Sequence, residues 1–85
     1  NIANKPSTTT WGSATVTDGV AEYLDYLKDL GFTVTVTDTT HKEPYSGYHT
    51  YETNFKVSND SVSWTMYLCI QKEQYVEYEL DVHLN

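Results

Sequence analysis

The chain has 85 residues, of which 39% are hydrophobic, and a formal net charge of −7 at neutral pH. This length indicates one domain, and eight Tyr and two Trp supply large side chains for a core. The five basic residues are all Lys, which excludes the basic patches that bind nucleic acid or anionic membranes. The single Cys excludes an internal disulfide framework.

The first ten residues, NIANKPSTTT, are polar and include a Ser/Thr run, which is typical of linkers and chain ends. We therefore predict a flexible linker or tail over 1–10 and a single α+β domain over 11–85. Because the chain begins with Asn rather than Met, we expect a processed product or an excised domain, tethered through this segment. The stretch WGSATVT predicts a short extra strand over 11–17.

An amphipathic helix is predicted over 18–30. Its apolar side chains recur at spacings of three and four, which places them on one stripe: Val20, Tyr23, Leu24, Leu27 and Leu30. We expect Asp18 at the N-cap, where its carboxylate would accept from free backbone N–H groups. Gly31 suits the left-handed position just past the helix, followed by Phe32 as the last residue of a Schellman motif.

Four later segments alternate between apolar and polar residues, which is typical of strands with one buried face. The predicted strands are 32–39, 48–58, 62–71 and 75–84. The fold class that follows is α+β, with one N-terminal helix packed on one face of a four-stranded antiparallel β-meander.

The two predicted hairpin turns set the register of this sheet. A two-residue loop of type I′ at Asn59-Asp60 would place Val57 opposite Val62. A three-residue turn over 72–74 would place the apolar residues of the last two strands opposite one another. Both hairpins then direct their apolar residues to one face, as a single buried face requires.

The polar residues of the last three strands would form the other face of the sheet. In the predicted register Glu52 and Glu79 flank Tyr67 in one row. The candidate binding residues on this face are Tyr48, Tyr67, Tyr75, Glu52, Glu77 and Glu79. Tyrosines are enriched at binding surfaces, and the carboxylates would select a basic partner or hydrogen-bond a sugar. The alternatives are a face that simply meets water and a face that packs on a neighbouring domain.

The segment 40–47 is predicted as a loop, because it contains Pro and Gly. The stretch HKEPYSGYH, over 41–49, is rich in Tyr and His and would form a second recognition site on a rigid floor. Tyr45 and His41 therefore join the candidate binding residues. The alternative is an ordinary connection.

The sequence also contains residue types that carry chemistry. Glu77 and Glu79 would suit a general acid and base, but such a pair needs a cleft that excludes water, which a small flat sheet does not offer. The three histidines are predicted not to converge on one point, whereas a metal needs converging ligands. Cys69 has no His in register to act as its base. We therefore expect no enzymatic activity, no metal and no cofactor.

These surfaces predict a non-enzymatic interaction domain, extracellular or at the cell surface, that binds a protein or glycan through the Tyr/acidic sheet face or the 41–49 loop. The alternative is a small acidic inhibitor or immunity-type protein that blocks a basic site on a partner enzyme. A third hypothesis is a small hydrolase with surface carboxylates. We expect neither a nucleic-acid partner nor direct membrane insertion.

Overall fold

A computed structural model describes residues 7–84 as one helix, a two-stranded hairpin and a four-stranded antiparallel sheet. In chain order the elements are β1 (Thr8–Trp11), β2 (Ala14–Thr17), α1 (Asp18–Asp29), β3 (Thr33–Tyr45), β4 (Tyr48–Ser58), β5 (Ser63–Lys72) and β6 (Val76–Leu84). The sheet order β3-β4-β5-β6 is that of a meander. The predicted α+β fold class is confirmed.

The N-terminal hairpin of β1 and β2 differs from the prediction. Residues 8–10, assigned to a linker, lie in β1, and the segment 11–17 contains a turn and β2 instead of one strand. The predicted boundary is wrong here because the Ser/Thr run forms backbone hydrogen bonds with β2. The polar sequence of this run does not alternate with apolar residues, so it gave no sign of a strand. The rest of the predicted linker, residues 1–6, lies outside the described part of the chain.

The two ends of α1 are stabilised by different residues. The N-cap is Thr17 rather than Asp18, because the Thr17 Oγ1 accepts from the backbone N–H of Val20 at 3.2 Å. At the other end Gly31 has φ of +99°. The Phe32 N–H donates to the Leu27 carbonyl at 3.0 Å, and the Gly31 N–H donates to the next carbonyl of the helix. These are the two bonds of the predicted Schellman motif.

The core lies between the sheet and two covering elements. The helix packs over β3, and β2 packs over β4 and β5. The buried apolar residues are Ala14, Val16, Val20, Leu24, Leu27, Phe55, Val57, Met66, Leu68 and Ile70. Tyr23 and Leu30, predicted on the buried stripe of the helix, are 37% and 56% exposed. The helix buries fewer residues than predicted because the hairpin covers part of the sheet in its place.

Both hairpin registers differ from the prediction by two residues. The β4–β5 turn has four residues instead of two, so Val57 faces Trp64 rather than Val62. The Asn59 Oδ1 accepts from the Ser61 and Val62 N–H groups, each at 2.8 Å. This side-chain turn replaces the predicted type I′ turn, which would need positive φ; no residue other than Gly has positive φ within 7–84.

The β5–β6 turn covers 73–75 instead of the predicted 72–74, since Lys72 pairs with Val76. Tyr75 therefore lies in the turn instead of the strand. Side chains alternate with a period of two, so a shift of two residues leaves every residue that remains in β4, β5 or β6 on its predicted face.

The predicted loop over 40–47 is wrong, because β3 continues through it to Tyr45. The register of β3 against β4 shifts between Val36 and Asp38, which makes Thr37 a β-bulge. Its Oγ1 donates to the Asn54 carbonyl at 3.1 Å. A bulge inserts one residue and so exchanges the two faces of the strand beyond it.

Candidate functional site

The sheet face opposite α1 and the hairpin carries most of the predicted binding residues; we call it the outer face. Each row of this face takes one residue from each strand, because residues paired across strands point to the same side. The three rows nearest its centre are Lys42–Thr50–Gln71–Glu77, Thr40–Glu52–Cys69–Glu79 and Asp38–Asn54–Tyr67–Asp81. Carboxylates outnumber lysines in these rows, so the centre of the face is acidic.

The neighbours of Tyr67 differ from the prediction. Glu52 and Glu79 flank Cys69, whereas Tyr67 lies between Asn54 and Asp81. The cause is the two-residue change of register, which moves each predicted partner along its strand. Tyr67, Glu52, Glu77 and Glu79 stay on the predicted face, and only their rows change.

Two adjoining concavities lie on this surface. One has a volume of about 560 Å³ and is lined by Cys69, Gln71, Glu77, Tyr78 and Glu79. The other has a volume of about 250 Å³ and is lined by Tyr45, Tyr48, Gln71, Glu73, Tyr75 and Glu77. They share Gln71 and Glu77, so the carboxylates and the tyrosines form one continuous surface.

The tyrosine end of this surface is built by two turns. The long β3–β4 hairpin reverses at Gly47, whose φ is +82° and whose N–H donates to the Glu43 Oε2 at 3.0 Å. This turn stacks Tyr45 on Tyr48, with ring centroids 5.0 Å apart and planes 13° from parallel. Tyr75 joins them from the β5–β6 turn.

Four of the lining residues were not among the predicted binding residues: Cys69, Gln71, Glu73 and Tyr78. Gln71 and Glu73 border the tyrosines, and neither belongs to a motif. Gln71 precedes the predicted turn over 72–74 and Glu73 lies within it. This position is the signal that would have found them, because side chains at that turn reach the same end of the sheet.

Tyr67 has an altered acidity. Partial burial, together with the neighbouring Cys69 and Glu52 side chains, raises the pKa of its phenol to about 12. Loss of the phenol proton would put a new negative charge beside a carboxylate. At neutral pH Tyr67 is therefore a hydrogen-bond donor on the acidic face.

His41 lies on the opposite face of the sheet, because the Thr37 bulge turns it away from the outer face. Its ring stacks on Tyr51 at 4.4 Å, and its Nε2 lies 2.9 Å from the Nδ1 of His49. His41 and His49 are therefore in contact, whereas His83 lies in β6 beside Thr65.

The histidine pair is therefore separate from the tyrosine and carboxylate surface. The Nε2 of His49 lies 3.6 Å from the Glu43 Oε2. Among residues 7–84, no group of three or more His, Cys, Asp or Glu side chains is arranged to hold a metal ion.

Comparisons with models of protein families, with curated proteins and with solved structures gave no match to this chain. Over the part of the chain that the structure describes, no helix combines the length and apolar character that crossing a membrane requires.

Proposed function

We propose that this chain is a non-enzymatic interaction domain, extracellular or at the cell surface, that binds a protein or a glycan through its outer face. The observation that supports this most directly is the continuous concave surface on which Tyr45, Tyr48 and Tyr75 adjoin Glu77 and Glu79. Tyrosine gives a large contact area at a low entropy cost, and it is enriched in binding surfaces for this reason.

The two halves of the surface suit different parts of a ligand. The exposed Tyr45 ring, stacked on Tyr48, offers a flat aromatic face to an apolar side chain or to a sugar ring. The carboxylates of Glu77 and Glu79 accept hydrogen bonds from sugar hydroxyls, or pair with Lys and Arg of a protein. Such a combination selects ligands with both an apolar patch and hydrogen-bond donors.

An acidic inhibitor that blocks a basic site on a partner enzyme is the second candidate. It is favoured by the concentration of four carboxylates on the two strands that flank β5, with Glu52 in β4 and Glu77, Glu79 and Asp81 in β6. A cluster of charges of one sign steers a partner of the opposite sign and raises its association rate.

The third hypothesis, a hydrolase, would show turnover that is lost in Glu77→Gln or Glu79→Gln.

The test is to screen the labelled domain against a glycan array and a panel of basic proteins, with two double variants beside the wild type. Tyr75→Ala with Glu79→Lys alters the outer face. Tyr26→Ala with Glu22→Lys makes the same changes on the exposed side of α1 and serves as the matched control. We expect a ligand that the wild type and the control retain and the outer-face variant loses.

The salt dependence separates the two candidates. Binding by an acidic inhibitor weakens steeply as salt rises, because exposed charges are screened, whereas contacts dominated by tyrosine weaken little. Equal binding by all three proteins would contradict the proposal, since the outer face would then contribute nothing to the interaction.

A further inference from the structure

The last strand, β6, is an open edge of the sheet. Within residues 7–84 it pairs with β5 on one side and with no strand on the other. Alternate residues of an edge strand direct their N–H and C=O groups away from the sheet, which offers a template for another strand. β6 has nine residues, so its edge is roughly 30 Å long at the usual rise per residue.

The two edges of the sheet differ in their protection. At the opposite edge, β3 carries the Thr37 bulge, Lys42 and Pro44, which are all features that hinder the addition of a further strand. The pairing of β6 with β5 runs without a bulge from Val76 to Leu84, and β6 contains neither Pro, Gly nor Lys. Within residues 7–84 the edge of β6 is therefore regular and unpaired.

One side of β6 is apolar and poorly covered. Val76, Tyr78, Leu80, Val82 and Leu84 alternate along its inner side, which faces the layer of α1 and β2. Because those elements lie over β3, β4 and β5, Tyr78, Val82 and Leu84 remain 49%, 51% and 82% exposed. A further strand beside β6 would bring apolar side chains against this stripe.

The other side of β6 is acidic, with Glu77, Glu79 and Asp81 at successive outward positions. These carboxylates oppose pairing of β6 with a second copy of itself. In the antiparallel register centred on Leu80, each Glu79 would face an Asp81, and like charges directly opposite are destabilising. The same carboxylates would favour a strand that places Lys or Arg beside them.

We propose that β6 binds an extended segment of a protein partner as a fifth strand of the sheet, and that this segment alternates apolar residues with Lys or Arg. The apolar residues lie beside Tyr78 and Val82, and the basic residues lie beside Glu77, Glu79 and Asp81. Backbone hydrogen bonds provide affinity in this mode of recognition, and the alternating side chains provide specificity. The inference rests on the proposed binding function and names its partner as a basic protein segment.

The probe is a capped peptide of the same length as β6, Lys-Val-Lys-Val-Lys-Val-Lys-Val-Lys. Its control has the same composition with grouped residues, Lys-Lys-Lys-Val-Val-Val-Val-Lys-Lys. Calorimetry measures the affinity, and amide exchange of the domain reports protection along β6. We expect the alternating peptide to bind about tenfold more tightly than the control, with new protection at alternate β6 amides. Equal affinities would mean simple charge attraction and would overturn the proposal.

Two further comparisons test the geometry. N-methylation of every second peptide residue removes the N–H groups along one edge of the peptide, so one of the two methylated forms should lose binding and the other should keep it. Val82→Lys places a positive charge on the exposed apolar side, and we expect about a tenfold loss of affinity. Tyr26→Lys, on the exposed side of α1, is the matched control and should bind as the wild type does.

The outcomes separate this inference from the proposed function. If the peptide does not bind while the Tyr75→Ala/Glu79→Lys variant still loses a glycan or protein ligand, strand addition is wrong and the outer-face function stands. If the peptide binds and protects β6 while the screen yields no ligand for the outer face, strand addition holds and the broader proposal must be replaced.

Discussion

Tyr67 is the residue whose chemistry depends most on its neighbours. It lies on the central strand of the acidic face, where burial together with Cys69 and Glu52 raises the pKa of its phenol to about 12 from an ordinary value of 10. The unfolded chain loses this proton at a lower pH than the folded chain does. The contribution of Tyr67 to folding stability is thus complete below about pH 10 and is lost as the pH rises towards about 12.

Tyr67→Phe should therefore reduce the alkaline loss of stability. We expect the free energy of unfolding to fall less in this variant than in the wild type between about pH 9 and about pH 11, as measured by urea denaturation. Tyr26→Phe, on the exposed side of α1, is the control and should keep the wild-type dependence. Parallel pH curves for wild type and Tyr67→Phe would contradict the altered pKa.

Gly31 and Gly19 form a matched pair at the two ends of α1. Gly31 has φ of +99°, a conformation that a Cβ disfavours, so Gly31→Ala should lower the free energy of unfolding by about 1 kcal/mol or more. Gly19 lies in the first turn, and an added Cβ would meet no atom within 4 Å apart from its chain neighbours and the backbone of the helix itself. Gly19→Ala should therefore raise stability by up to about 1 kcal/mol. Thermal or urea denaturation of both variants checks the opposite signs.

At the scale of elements, the β4–β5 hairpin shows how a turn sets a register. The carboxamide of Asn59 holds two backbone N–H groups, and the Asn59 N–H donates to the Val62 carbonyl at 2.9 Å. A four-residue turn held in this way brings Ser58 opposite Ser63. Val62, which the apolar alternation predicted to be the first residue of the strand, therefore lies in the turn and is exposed.

Asn59→Ala removes both side-chain acceptor bonds of this turn. We expect it to lower the free energy of unfolding by about 1 kcal/mol, since solvent replaces part of what is lost. Asp60→Ala, at the neighbouring exposed position, should change stability by about 0.5 kcal/mol at most. Urea denaturation decides the matter, and a larger loss for Asp60→Ala would mean that the turn is organised differently.

The bulge in β3 acts over a longer range than the turn. It exchanges the faces of the strand beyond Thr37, so that the Thr39 hydroxyl meets the Thr53 hydroxyl at 3.1 Å and His41 stacks on Tyr51. The same exchange places Asp38 on the outer face, in the row of Asn54, Tyr67 and Asp81. The separation of the histidine pair from the outer face is thus a consequence of one inserted residue.

For the whole molecule, the distribution of charge is as important as its sum. A net charge of −7 keeps copies apart at neutral pH, and the carboxylates of β6 add local repulsion at the open edge. Near the isoelectric point of about 4.6 the net repulsion vanishes. The exposed apolar stripe of Tyr78, Val82 and Leu84 would then be free to associate with another copy.

We therefore expect self-association to increase as the pH falls from neutral to the isoelectric point, as measured by sedimentation velocity. Glu79→Gln with Asp81→Asn should shift this increase to a higher pH, because it removes the charges that would face each other across two β6 strands. Glu22→Gln with Asp29→Asn removes the same charge from the exposed side of α1 and is the control. Equal shifts for the two variants would assign the effect to net charge instead of the β6 edge.

Local patterns in the sequence determined the helix, the strands and the faces of β4, β5 and β6. Spacings of three and four, the alternation of apolar residues, and Gly31 with Phe32 at the helix end all act within a few residues of the chain. The sequence therefore predicted the fold class, the span of β4 and most members of the outer-face surface before any contact was known.

The tertiary structure alone decided the register, the bulge and the cover of the sheet. A shift of two residues preserves alternation and so leaves no trace in the pattern; the hydrogen bonds of Asn59 and the pairing of whole strands select one register. The alternation of Thr and Val ends at Thr37, and the pattern alone does not show whether the strand ends or bulges there. The β1–β2 hairpin is placed by the burial of Ala14 and Val16 in the core and by the contact of Trp11 with Phe55. Its Ser/Thr-rich sequence has no period that would have predicted this position.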